Sequence, residues 1–306
     1  MNNIKKIIEQ IIRLRFSQIL VNERYKNGDF KIPIHLAFGH ETLAIAVGRS
    51  MKKDDSLILT HRNIHYNLAR IDSLGEGMDE YFLKNIGIAK GHLGSMNLSN
   101  PAQNIVYSSS ILGNNLPVAA GYALGNKANK KNDVVFAVTG DGAIEEGSFY
   151  ESLVFMKSND LNIIIIVENN QWSLATKINE RRCHIDLYKL AESIGIEYDL
   201  LSGNNPVDYI YKINSCREKS VETNTPVLIE AHVKTLGYWY MKTKEYPEDK
   251  FINYHAGPAP EVEMKTYPII SFSNEDPLFV LKQYLPEKEL LDMSSKILTQ
   301  LELELL

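Results

Sequence analysis

The feature that most constrains this chain is a strand–helix–strand unit near its middle. Residues 133–139 and 161–167 are nearly continuous runs of β-branched, aromatic and other apolar side chains, and residues from about 146 to 157 between them carry helical patterning. Two such strands and a helix within about 35 residues make a βαβ unit, which demands a parallel sheet and a right-handed crossover. Because neither strand alternates apolar with polar residues, helices must cover both faces of the sheet. Further strands are expected over 57–60 and 226–232. The expected fold is therefore α/β, an open, mostly parallel sheet flanked by helices.

Around this unit the chain reads as helices and loops. Residues 4–25 form a long helix with Ile7, Ile8, Ile11, Ile12, Phe16 and Ile19 on one face, stopped by Asn27-Gly28-Asp29. A shorter helix is expected over 40–51. Residues 85–100, with Gly87, Gly91 and Gly94, read as a loop packed close to something. Residues 238–259, rich in Tyr, Lys and Pro, read as an irregular segment over a site or an interface. Helical patterning returns from Asp276, with Leu278, Leu281 and Leu285 and then residues 290–306.

Composition excludes several classes. Over 306 residues, 44% hydrophobic and 23% charged is a globular balance, which removes disordered and fibrous readings. A net charge of −5 without a basic block leaves no nucleic-acid footprint and no polybasic membrane anchor. Cys183 and Cys216 show no CxxC spacing and no clustered His, so a disulfide framework and a structural zinc site are not expected. Lys5, Lys6, Glu9, Arg13 and Arg15 interrupt any signal-peptide core, and the longest apolar run, 163–167, is far too short to span a membrane. A soluble, cytoplasmic protein is expected.

Ligands of an open parallel sheet bind beyond the carboxyl ends of its strands. Asp141 follows one strand and Asn169-Asn170 the next. A carboxylate and an amide carbonyl are hard oxygen donors suited to Mg²⁺ and poor for zinc. Gly142, just before a helix, offers free backbone N–H groups and the positive end of a dipole, which suits a phosphate. Together these residues describe a magnesium-bound diphosphate. Two commoner phosphate motifs fail at their working residue. A dinucleotide fingerprint begun by Gly140 and Gly142 needs glycine where Glu145 stands, which also speaks against a nicotinamide dehydrogenase. A P-loop over 142–148 needs lysine where Ser148 stands. As isolated residues, Asp141 and Asn170 would be only turn and cap residues.

The GDG of 140–142 followed by NN, with 29 positions from Asp141 to Asn170, resembles the thiamine diphosphate motif. Residues 35–48 (HLAFGHETLAIAVG), 60–62 (THR), 90–96 (KGHLGSM), 112–124 (LGNNLPVAAGYAL) and 276–285 resemble segments of the α subunits of 2-oxo acid dehydrogenase E1 components. The resemblance runs from about residue 7 to 290, over the diphosphate-binding half of such an enzyme. It implies a diphosphate-binding domain over 1–260 and a helical tail over 261–306. It also implies Asp141 and Asn170 as Mg²⁺ ligands through side chains and Trp172 through its carbonyl. Gly140, Gly142 and Ala143 would lie on the diphosphate, with Arg62 and His61 beside it, and Gly91, Gly94 and Ser95 along the cofactor.

Two departures modify this expectation. E1 α subunits usually carry an RYHGHSxSDP-like segment after the strand equivalent to 227–232. Here residues 232–260 read HVKTLGYWYMKTKEYPEDKFINYHAGPAP, closer to the WHGKAP-like segment of transketolase N-terminal subunits. His92 likewise matches the GHPG histidine of transketolases. Catalytic roles are therefore expected for His255, His92 and His61, with those of His35 and His65 left open. The resemblance implies an enzyme that decarboxylates a 2-oxo acid and passes on the remaining unit. A β-type partner would supply the pyrimidine-binding domain and its activating glutamate, as α₂β₂. The alternatives are a split transketolase acting on ketoses and a non-catalytic, partner-binding homologue.

Overall fold

The computed structural model describes residues 2–242, 244 and 248–306. The chain runs through α1 (Asn2–Lys26), α2 (Glu41–Ser50), β1 (Ser56–Thr60), α3 (Ile64–Leu68), α4 (Leu74–Tyr81) and β2 (Ile105–Ser109). The central segment follows as α5 (Asn115–Ala128), β3 (Val135–Gly140), α6 (Gly147–Ser158) and β4 (Ile163–Asn169). Beyond it come two short strands, β5 (Trp172–Ser173) and β6 (Thr176–Lys177), then α7 (Ile178–Arg181), α8 (Leu187–Ile194), β7 (Glu197–Leu201), α9 (Pro206–Thr223) and β8 (Val227–His232).

Six strands form one sheet in the order β2-β1-β3-β4-β8-β7, and every neighbouring pair is parallel. The α/β expectation holds. Ile163 to Val167 have no exposed surface at all, which is why their sequence shows no alternation. From β1 the chain adds β2 on one side, then returns to add β3 on the other. That reversal opens a crevice at the carboxyl ends of β1 and β3, the usual ligand position in a doubly wound sheet. The β3–β4 register pairs Gly140 with Glu168, so Asp141 and Asn169-Asn170 emerge side by side at this edge.

Residues 238–259 are more regular than their sequence suggests. β9 (Tyr238–Met241) and β10 (Lys250–Asn253) pair antiparallel, with Tyr240 opposite Phe251. Tyr238 stacks on Phe251 at 5.6 Å between ring centroids, the kind of cross-strand aromatic contact that stabilises a ladder. The Lys and Pro residues between the strands conceal this short alternation; residues 243 and 245–247 of the same segment lie outside the described residues.

After α10 (Pro277–Leu281), α11 (Glu287–Leu303) packs along α1, and Leu278, Leu281, Leu290 and Leu301 share one buried cluster with it. Arg15 of α1, fully buried, clamps this arrangement. Its guanidinium bonds Glu41 at 2.6 Å, Asp276 at 2.9 Å and the Pro268 carbonyl at 3.0 Å. A buried arginine satisfied in this way specifies one docking of the three segments. Cys183 and Cys216 are both free thiols, and no described helix is long and apolar enough to cross a membrane.

Candidate active site

The crevice at the β1–β3 switch is a cleft whose floor includes Arg62, Gly140, Asp141, Gly142, Asn170 and Trp172. Asp141 is 3% exposed, and burial pushes its carboxyl up to about 6, against the pull of Arg181 and Arg182 and of nearby backbone N–H groups. Arg181, from α7, holds the Asp141 carboxylate at 2.9 Å and also reaches Glu145, which Arg182 bonds at 3.1 Å. Even with both arginines near, Asp141 is short of positive charge. A hard dication fits that deficit and this oxygen donor set.

Gly142 is glycine for a reason of space. A Cβ there would lie 2.9 Å from Ser173 Oγ and 3.2 Å from its Cβ, so a side chain would push β5 off the cleft. Asn170 has its amide fixed from two sides. Its Oδ1 accepts from Trp172 N at 2.9 Å, and its Nδ2 donates to Thr235 Oγ1 at 3.0 Å.

Three histidines meet at the rim. His35 lies 4.8 Å from His61 and 5.0 Å from His255 between ring centroids, all edge-on or tilted. Two backbone bonds and one from the Arg62 side chain stitch their three segments together. Gly257 N donates to the Ile34 carbonyl at 3.1 Å, Leu236 N to Phe38 O at 2.8 Å, and Arg62 Nη1 to Leu36 O at 2.5 Å. Gly39, at φ +94°, permits the approach, since a Cβ there would sit 2.0 Å from the Lys234 carbonyl oxygen. Burial and then the Arg62 charge lower all three imidazoles, to about 2 for His35, about 4 for His61 and about 3 for His255. They are neutral at pH 7 and can donate or accept at a substrate oxygen. Arg62 beside them opposes a metal dication, although their nitrogens lie within 4.8 Å of one another.

A second set lies beneath the first. Glu168, at the end of β4, accepts from His65 Nε2 at 3.0 Å, Tyr66 OH at 2.7 Å and His40 Nδ1 at 3.2 Å. Burial pushes the Glu168 carboxyl up, but these partners overcome it and hold it well below the usual range. His40 Nε2 continues to Thr235 Oγ1 at 2.9 Å.

The glycine-bearing loop is organised by a residue the sequence did not single out. Glu80 of α4, fully buried, accepts four backbone N–H bonds, from Ala89, Gly91, Leu93 and Gly94, at 2.7–3.1 Å. The Gly91 and Gly94 amides are thus committed inside the loop. Ser95 Oγ donates to the Pro33 carbonyl, and His92 is exposed and does not line the cleft. The structure therefore brings together His61, Arg62, Gly140, Asp141, Gly142, Ala143, Asn170, Trp172 and His255. It leaves Gly91, His92, Gly94 and Ser95 outside the lining. Sequence reasoning missed Arg181, Glu168, His40 and Thr235; the adjacency of Glu168 to Asn169-Asn170 and the place of His40 in the 35–48 segment could have signalled two of them.

A family model for the dehydrogenase E1 component matches residues 14–237. The pyruvate dehydrogenase E1 component subunit alpha of Rickettsia bellii is 28% identical over 235 residues, 77% of this chain and 71% of that one. The 2-oxoisovalerate dehydrogenase subunit alpha 1, mitochondrial, of Arabidopsis thaliana is 26% identical over 234 residues, 76% of this chain and 49% of its own. Among solved structures, a transketolase from Campylobacter jejuni superposes with a TM-score of 0.57 at 16% identity, covering 97% of this chain and 48% of that chain. The likeness is one of fold, and this chain spans about half the length of that transketolase.

Proposed function

The chain belongs to the dehydrogenase E1 component family, and from that premise we propose that it is the α subunit of a thiamine diphosphate enzyme that decarboxylates a 2-oxo acid. Relatives named as pyruvate and 2-oxoisovalerate dehydrogenase α subunits support the substrate class. The observation that carries the reading is the convergence of Asp141, Gly142, Asn170 and Trp172 on one cleft at the switch of the sheet. Asp141, the Asn170 side chain and the Trp172 carbonyl would hold Mg²⁺. Gly142 and Ala143, which open a short turn, would face the diphosphate, with Arg62 offsetting its charge.

Thiamine diphosphate supplies an electron sink for the carbanion left by decarboxylation. This chain's residues supply the surroundings. His61 and His255, kept neutral by burial and Arg62, present imidazoles that can carry a proton to or from a substrate oxygen. Arg181 would surrender Asp141 to the dication and remain next to the diphosphate, so the mouth keeps its charge balance as the site fills.

A β-type partner is part of the proposal. Its relatives are named α subunits, and the cleft rim carries Ile111, 67% exposed, and Leu112, 45% exposed, apolar side chains that a covering subunit would bury. We assign the α₂β₂ arrangement and a reducing, cytoplasmic setting to the same reading, the latter in keeping with two free thiols.

One observation favours a second reading, ketol transfer between sugars. His35, His61 and His255 form a neutral triplet suited to hydroxyl-rich substrates, and it includes the histidine of the 255–260 segment. The tagged chain, captured from its native host with thiamine diphosphate and Mg²⁺ present, separates the readings. CO₂ release from pyruvate-like acids by the captured pair supports decarboxylation. Consumption of ketose phosphates without CO₂ supports ketol transfer. Full turnover by the chain alone contradicts the partner.

A further inference from the structure

The polar groups of the cleft lining divide into those whose hydrogen bonds are spent and those whose bonds are free. Both oxygens of Glu168 and both ends of the Asn170 amide are bonded, and Arg181 holds Asp141. The hydroxyls of Thr60 and Ser173 meet no partner among the described residues. Thr60 ends β1, beside His61 and Arg62. Ser173 belongs to β5, which follows β4, so in the order of the sheet the Gly142 turn after β3 lies between the two.

The backbone holds Ser173 in place without using its hydroxyl. Trp172 N donates to Asn170 Oδ1, Ser173 pairs with Thr176 across the β5–β6 ladder, and Thr176 Oγ1 donates to the Ser173 carbonyl at 2.8 Å. Leu174 turns this hairpin at φ +51°, a left-handed conformation that leucine seldom adopts. Lys177 Nζ, 5.4 Å from the Trp172 ring centroid, braces the same ladder.

Gly142 shows where the free hydroxyl lies. Ser173 Oγ is 2.9 Å, and Arg181 Nη1 3.8 Å, from the point at which a Gly142 Cβ would stand. Ser173 is half-buried, and its oxygen is not sealed from the surface. Arg181 brings positive charge to this spot and has a buried Nε with no partner among the described residues. A hydroxyl has one proton to give, and beside a guanidinium its best acceptor is an anionic oxygen.

We propose that Ser173 is a cofactor-binding residue whose hydroxyl donates to a diphosphate oxygen lying against Gly142. The proposal rests on the reading of the cleft as a thiamine diphosphate site. It surrounds the anion from three places along the sheet edge: His61 and Arg62 after β1, the Gly142 turn after β3, and Ser173 beyond β4.

Calorimetry on the full chain in complex with its partner tests it with three probes: Mn²⁺ alone, inorganic pyrophosphate with Mg²⁺, and thiamine diphosphate with Mg²⁺. Ser173→Ala removes the hydroxyl and no backbone bond. It weakens pyrophosphate and thiamine diphosphate alike, roughly 10–100-fold, and leaves Mn²⁺ within about twofold of the parent. Ser173→Cys, similar in size but a weak donor, repeats the comparison should the alanine chain fail to fold. Unchanged binding of the two diphosphates overturns the proposal. An equal loss of Mn²⁺ overturns it too, since the hairpin would then have moved and carried the Trp172 carbonyl with it. A loss for thiamine diphosphate alone overturns it as well, because the hydroxyl would then meet another part of the cofactor. Asp141→Ala separates the proposal from its premise. If that chain binds both diphosphates like the parent, the cofactor reading fails and the proposal with it. If Asp141→Ala loses them and Ser173→Ala does not, the reading stands and the proposal alone falls.

Discussion

Two sets of histidines sit at the same edge of the sheet and are wired in opposite ways. His40 and His65 are fully buried and both bonded to Glu168, which also holds Tyr66, while His40 bonds Thr235 directly. His35, His61 and His255 touch one another by their rings, and among the described residues no hydrogen bond reaches their nitrogens. His35 even has a buried Nδ1 without a partner. The first set has three of its four ring nitrogens bonded within the fold, with His65 Nδ1 left over, whereas the second holds its nitrogens in reserve beside a cleft. Buried polar atoms left unpaired cost about 1–3 kcal/mol each, so the rim set is stable only through its surroundings and gains by meeting a ligand.

This contrast can be broken experimentally, most forcefully at His255. His255→Asn in the partner complex should lower turnover by about a hundred- to ten-thousand-fold, as for loss of an acid–base group, with stability changed by about 0.5 kcal/mol or less. Equal losses of turnover and stability would erase the distinction. The opposite pattern is expected at Glu168. Glu168→Gln strands buried donors and should cost about 3 kcal/mol in urea denaturation, visible without cofactor.

Acid sharpens the comparison. His61 titrates near 4 and His255 near 3 in the folded chain, below the ordinary 6.5. Between these values the unfolded chain binds more protons, so stability falls as pH drops from about 6.5 toward 4, by up to about 1.4 kcal/mol per unit per histidine. Glu168, held below its usual range, adds its loss only as pH falls below the ordinary carboxylate value near 4.5. Denaturation at pH 7, 6 and 5 should therefore show a slope that His61→Asn flattens. The smallest effect is expected at Arg181. Arg181→Met frees Asp141 and should tighten Mg²⁺ about two- to fivefold in a titration, since a partly screened charge contact near the surface contributes up to about 1 kcal/mol.

The sheet was legible because continuous apolar runs such as 163–167 have only one sensible place in an α/β protein. The β3–β4 register then explains why two motifs 29 residues apart share an edge. Asp141, Gly142 and Asn170 of the candidate site were legible as strand-end residues for the same reason, whereas Trp172 entered only through the resemblance. What sequence did not show was support arriving from a distance. Thr235 lies 65 positions from Asn170, and His40, although inside the 35–48 segment, lies 128 from Glu168, so nothing local ties either to its partner. Arg181 looks like an ordinary charge in a short helix until α7 folds it over Asp141. In the loop around His92, the Gly91 and Gly94 amides bond the carboxylate of Glu80 within the fold, a role that the glycine pattern alone does not show.

The central claim is that Asp141 and Asn170 hold a metal-bound diphosphate in the cleft. Trp172 lies in that cleft, so its fluorescence reports occupancy directly. Thiamine diphosphate should be titrated into the partner complex with Mg²⁺ and with EDTA, for the parent and for Asp141→Ala, each carrying Trp239→Phe to leave Trp172 as this chain's one tryptophan, with a Trp172→Phe complex subtracted as the partner's background. The account predicts saturable quenching that requires Mg²⁺ and is weakened about 100-fold or more by Asp141→Ala. Quenching of the same strength in EDTA and in the Asp141→Ala chain would contradict it.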